Sequence, residues 1–140
     1  MKRPRTTRSA EPGRLWHDRP VLIFHIATDA DWQAAKASGA YTTSTLGVTL
    51  DHEGFLHCSR DSQAGRVLAK YYANVQEPLT LLTVDTNLLT SPWQFDAVPG
   101  ADLSFPHIYG PLNPDAVVNA TPLTKGRTGE WELPTLPAST

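Results

Sequence analysis

Apolar residues in this chain come in short runs rich in β-branched and aromatic side chains. The first of them, Val21-Leu22-Ile23-Phe24-His25-Ile26-Ala27, is only seven residues long and carries a histidine inside it. Twelve prolines and nine glycines punctuate the rest of the chain. This pattern suits short strands and helices joined by turns. It excludes a membrane-spanning helix, which needs roughly 18 consecutive apolar residues. A chain of 140 residues, 40% hydrophobic and 19% charged, has the length of one domain and the composition of a folded one. Its single cysteine, Cys58, excludes a disulfide framework and a zinc ribbon or knuckle. No longer apolar stretch precedes a small-residue cleavage site, so secretion is not supported and a soluble, cytoplasmic domain is expected.

The runs themselves order the chain. Val21–Ala27 reads as a largely buried strand. Thr28, three residues before Asp31, opens a helix over Ala30–Ser38 that Gly39 closes. Leu46–His52 fits neither pattern. Gly54–Ser59 reads as a second strand, and Asp61 or Ser62 can cap a helix that places Val67, Leu68, Tyr71 and Tyr72 on one face. Leu79–Asp85 is the next strand. Residues 86–104 are loop-rich, with strand alternation only at Trp93–Asp96. Phe105–Tyr109, Val117–Thr121 and Glu130–Leu133 complete the strand candidates. About six strands and two helices, with the helices early and the strands late, predict an α+β domain. The expected organisation is a flexible basic lead-in over 1–19, one domain over 20–133 and a loose tail over 134–140.

Charge is uneven. Residues 1–20 hold six of the twelve basic residues and two acidic ones, a net +4, whereas the remaining 120 hold six basic and twelve acidic residues, a net −6. An acidic body is a poor partner for a phosphate backbone, which disfavours nucleic-acid binding. No GxGxxG or Walker glycine pattern is present.

Three of the five histidines, His25, His57 and His107, sit inside strand-like apolar runs. A buried imidazole needs a hydrogen-bond partner, a ligand or a solvent-lined cleft, and three of them in three strands point to a shared cleft. Strand alternation puts Phe55, His57 and Ser59 on one face and Leu56 and Cys58 on the other. That separates Cys58 from His57, arguing against a Cys–His nucleophile pair and against a metal held by both. Phe105 and Tyr109 share the face of His107, and Asp96 and Asp102 are the nearest acidic candidates. A packed aromatic core would look the same in sequence.

The segments Phe24-His25-Ile26, Asp31-Trp32 with Gly39-x-Tyr41, Glu53-Gly54-Phe55-Leu56-His57-Cys58-Ser59, Tyr71-Tyr72 and Phe105-Pro106-His107-Ile108-Tyr109-Gly110-Pro111-Leu112 resemble the bacterial domain of unknown function 952 family, from about Leu22 to Leu123. That family is similar in fold to ADP-ribosyltransferases, particularly the RNA 2′-phosphotransferase branch. The resemblance implies a split, bent mixed sheet with two main helices and a cleft for NAD or an ADP-ribose-type nucleotide. No functional metal is expected, because Cys58 faces away from His57 and no second cysteine exists, although a zinc site from His25, His57 and His107 stays open. The resemblance places His25 at the adenosine-side ribose and His57 with Ser59 near the nicotinamide, with Tyr41 among the cofactor-binding residues. His107 and Tyr109 would line the same cleft, with Asp96 where relatives often carry glutamate. His57, His107 and Asp96 are then the expected catalytic residues of a transferase acting on NAD. A non-enzymatic module holding a nucleotide or other small metabolite stays open beside it.

Overall fold

In the computed structural model, which describes residues 20–139, the elements run β1 (Leu22–Thr28), α1 (Asp29–Ser38), β2 (Thr43–Thr45), β3 (Val48–Thr49), α2 (Leu50–Glu53), β4 (Leu56–His57) and α3 (Ala64–Tyr71). They continue with β5 (Leu79–Asp85), β6 (Trp93–Asp96), β7 (Phe105–Ile108), β8 (Val117–Pro122), β9 (Thr124–Lys125) and β10 (Trp131–Glu132). The basic lead-in expected over 1–19 lies outside the described residues.

β1 and β5, the two most apolar segments, pair along their whole length, and β8 adds to the other edge of β5. A second three-stranded sheet has the order β4-β7-β6. A single antiparallel bridge joins the two sheets: Phe24 and Ser59 exchange backbone hydrogen bonds of 2.9 and 2.7 Å. The architecture is α+β, as expected. The expected mixed sheet is corrected, because every strand pairing among the described residues is antiparallel.

Alternation along β1 builds two cores. Ile23 and Ala27 face a cluster with Trp32 and Ala35 of α1, Leu56, Cys58, Leu82, Val84 and Ile108. Phe24 and Ile26 face the other way, against Val67 and Leu68 of α3, Tyr72, Leu79 and Leu81. Burying each valine, leucine, isoleucine or phenylalanine side chain among these contributes about 1.5–3 kcal/mol. α1 starts and stops where its end signals lie: the Thr28 hydroxyl accepts from the Asp31 N–H at 3.1 Å, and Gly39 closes the helix at φ 89°. Such left-handed closure suits glycine, which lacks a Cβ.

Three local expectations are corrected. α3 begins at Ala64 with no side-chain cap, so neither Asp61 nor Ser62 serves as one. Tyr71 is exposed while Tyr72 turns inward and donates its hydroxyl to the Ile26 carbonyl at 3.2 Å. Residues 134–139 are not loose: Leu136 packs against the α3-side core, Ser139 O accepts from Leu22 N at 2.8 Å, and its hydroxyl accepts from Asp61 N at 2.9 Å. The ambiguous Leu46–His52 stretch divides between the β2–β3 hairpin and the single turn of α2.

Candidate functional site

The β4-β7-β6 register assembles the chemistry. His57 is directly opposite His107, which is opposite Gln94, while Asp96 is opposite Phe105. Directly opposed residues on neighbouring strands hold their Cβ atoms about 4.5–5.5 Å apart on one face. His57 Nδ1 accordingly lies 3.3 Å from His107 Nε2, and His107 Nδ1 lies 2.8 Å from Asp96 Oδ2. Asp96 is anchored in turn: Tyr109 donates its hydroxyl to Oδ2, and Gln94 donates to Oδ1 at 2.6 Å. The Tyr109 hydrogen bond is the main cause holding the Asp96 carboxyl below the usual carboxylate range. The same contact pushes the Tyr109 phenol up. Phe55 stacks on the His107 ring at 4.0 Å and 17°, fixing its plane, and Phe105 lies 4.9 Å from the His57 ring.

His25 has a different position from the one expected. It is buried, its Nδ1 lies 2.7 Å from the His57 carbonyl, and its Nε2 lies 3.0 Å from the Tyr41 hydroxyl. A carbonyl only accepts, so the His25 Nδ1–H donates to His57 and Nε2 accepts from Tyr41. Burial lowers the His25 pKa to about 4 and pushes the Tyr41 phenol up, which keeps both neutral. With both ring nitrogens engaged and Tyr41 itself buried, the pair forms a brace behind His57. The Ser44 hydroxyl accepts from the His57 backbone N–H at 3.1 Å and braces it from a third side. Ser59 is buried and joins the sheets through its backbone, away from the cleft. Cys58 lies in the core on the far side of the strand, and burial pushes its thiol up.

A cleft of about 310 Å³ opens beside His57, between α3 and the 98–103 loop. Arg66 and Lys70 of α3 supply positive charge, Gln63 and Ser62 polar groups, and Phe105 and Tyr71 aromatic surface. Lys70 is a cleft residue that sequence reasoning missed. The available signal was the four-residue spacing of two basic residues on one helix face. Arg60 does not line the cleft: its Nε and Nη2 donate to the Ser104 carbonyl and hydroxyl at 2.9 Å each, and its guanidinium lies 4.0 Å over Phe95. Asp102, an acidic candidate in the sequence, lines the loop wall but does not touch the histidines. Among the described residues the only basic side chain within 4.0 Å of a carboxylate is His107, beside Asp96, so Arg66 and Lys70 have no carboxylate partner there.

Burial, then His107 and then His25, lowers the His57 pKa to about 4, leaving it neutral at physiological pH. No group of three His, Cys, Asp or Glu side chains among the described residues is placed to hold a metal ion. No helix among them is long and apolar enough to cross a membrane.

Comparison with known proteins adds the lineage. Residues 26–120 match the family described as Protein of unknown function (DUF952). The crystal structure of protein CC0527 from Caulobacter crescentus is similar at 32% identity and a TM-score of 0.68, covering 79% of this chain and 93% of that one. The solution NMR structure of CC0527 is similar at 32% identity and a TM-score of 0.64, covering 79% and 90%. No curated protein matches the chain.

Proposed function

Because this chain belongs to the family described as Protein of unknown function (DUF952), whose description names no reaction, we propose from the cleft itself that the domain binds a nucleotide-type anion of the NAD or ADP-ribose class. The carrying observation is where the positive charge lies. Residues 21–140 are net −6, yet two of their six basic residues, Arg66 and Lys70, stand one helical turn apart on the wall of this cleft. An anion on those two side chains gains charge-assisted hydrogen bonds that the rest of the body would oppose. Phe105 and Tyr71 offer flat apolar surface to a base or nicotinamide ring, and His57, Gln63 and Ser62 offer polar groups to a ribose. Small-molecule sites run to about 300–1,000 Å³, so the cleft takes the pyrophosphate and one nucleoside half, the other half extending past its mouth.

The two sheets meeting at the Phe24–Ser59 bridge suit a split, bent ADP-ribosyltransferase-like sheet. His57, which lines the cleft and is backed by His107 and Asp96, favours a transferase acting on NAD over a passive binding module. The test is incubation of the full chain with labelled NAD and mass spectrometry of the products, alongside titration with ADP-ribose. Nicotinamide release that disappears in His57→Ala supports the enzyme. Saturable ADP-ribose binding without turnover, weakened tenfold or more in the Arg66→Gln/Lys70→Gln double variant, supports the module. Neither binding nor turnover at millimolar ligand would overturn both.

A further inference from the structure

We infer that Asp96, His107 and His57 form a one-way proton relay that makes His57 Nε2 the cleft's base toward a hydroxyl or water of the bound anion. The direction follows from donors and acceptors. An ionised carboxylate only accepts, so His107 donates Nδ1–H to Asp96 and its Nε2 carries a lone pair. That lone pair faces His57 Nδ1 at 3.3 Å, so the neutral His57 donates Nδ1–H to it. His57 Nε2 is left with a lone pair, no hydrogen-bond partner among the described residues, and a ring that lines the cleft. The backbone of His57 is held by Ser44 on one side and His25 on the other, and its ring is aimed by the His107 contact and by Phe105 at 4.9 Å.

A desolvated imidazole beside basic side chains is by itself a weak base, because the cation it would become is poorly solvated. The relay removes that obstacle. As Nε2 takes a proton from a ligand hydroxyl or water, the O–H pair stays on oxygen. His57 releases its Nδ1 proton to His107 Nε2, and the positive charge comes to rest beside the Asp96 carboxylate. His57 is neutral before and after. The charged groups sharing the cleft, Arg66 and Lys70 on α3 and Asp102 on the loop, take no part in the transfer. His57 is the catalytic residue; His107 and Asp96 position it and carry the proton. The substrate class rests on the ligand reading above, but the relay can be tested without a ligand.

Nitrogen-15 imidazole NMR of the full chain at pH 7 should show both His57 and His107 protonated at Nδ1 and bare at Nε2, the minor tautomer of free histidine. Carbethoxylation by diethyl pyrocarbonate, followed by peptide mass spectrometry, reads the same property as a rate. Nε2 attacks the carbonyl carbon, ethyl carbonate leaves, and the Nδ1 proton passes to His107. In Asp96→Asn the amide can present an N–H to His107 Nδ1, reversing the tautomers along the chain. Carbethoxylation of His57 should then fall tenfold or more, and likewise in His107→Gln. Exposed His52 on α2 is the internal control and should react at an unchanged rate. A His57 protonated at Nε2, or an undiminished His57 rate in folded Asp96→Asn, would overturn the relay. Failure of ADP-ribose to bind while the tautomers stand as stated would count against the ligand reading alone.

Discussion

His25 shows how a residue suited to chemistry can serve only structure. Both its nitrogens are used, and burial lowers its pKa from 6.5 to about 4. The unfolded chain therefore binds a proton that the folded one refuses, and stability must fall as pH drops below 6.5 toward 4. For His25 alone this loss is about 2 kcal/mol between pH 7 and pH 5. Urea unfolding at the two pH values should show it, and His25→Gln should be less stable at pH 7 but flatter with pH. A variant retaining the full wild-type slope would place the titration elsewhere. Asp96 contributes in the same direction but at lower pH, since its carboxyl is held below the usual range and its stabilising bonds are lost only as it protonates. A second substitution probes the turn after β7. A Cβ on Gly110 would sit 2.9 Å from Ser91 Cβ, at φ 157°, and would disturb the Ser91 hydroxyl that donates to the Pro111 carbonyl at 2.7 Å. Gly110→Ala should cost about 1–3 kcal/mol in urea unfolding, with Tyr109 displaced from Asp96.

Among the elements, those with strong local signals were the legible ones. β1 and β5 are runs of β-branched and leucine residues long enough to declare a buried strand, and α1 carries both a threonine cap and a terminal glycine. Thr28→Ala should therefore cost about 1 kcal/mol, read as a lowered thermal midpoint. α3 was placed only roughly because its start has no cap: Gln63 instead turns its side chain to Arg60 N and the Ser104 carbonyl. The β2–β3 hairpin was not legible. Its threonines and serine hold no period, and it is fixed by tertiary contacts such as Ser44 accepting from His57 N. The site was half legible for the same reason. Strand alternation put His57 with Phe55 and opposed Cys58 to it, and the aromatic–histidine run Phe105–Tyr109 marked β7. Which strands neighbour which is a long-range fact, so the direct His57–His107 opposition and the burial of His25 against Tyr41 lay beyond local pattern. The cleft's far wall, residues 98–103, comes from a loop that has no periodic signal at all.

For the whole molecule, the C-terminal segment closes the fold. Leu136 covers the α3-side core and Ser139 ties β1 to the segment before α3. Truncation after Leu133 should remove about 2–3 kcal/mol, from one partly buried leucine and two hydrogen bonds, and lower the urea midpoint accordingly. An unchanged midpoint would return the segment to the status of a loose tail. Charge is also organised at this scale: an acidic body sets two of its six basic residues, Arg66 and Lys70, on the wall of one cleft that His57 also lines. The central claim is that this cleft, and no other surface, receives a nucleotide anion. Chemical-shift mapping of the nitrogen-15-labelled chain during an ADP-ribose titration tests it most directly. The account predicts saturable shifts concentrated in residues 62–71, 98–105 and His57, weakening as salt rises. Shifts centred on another face, or none at millimolar ADP-ribose, would contradict it.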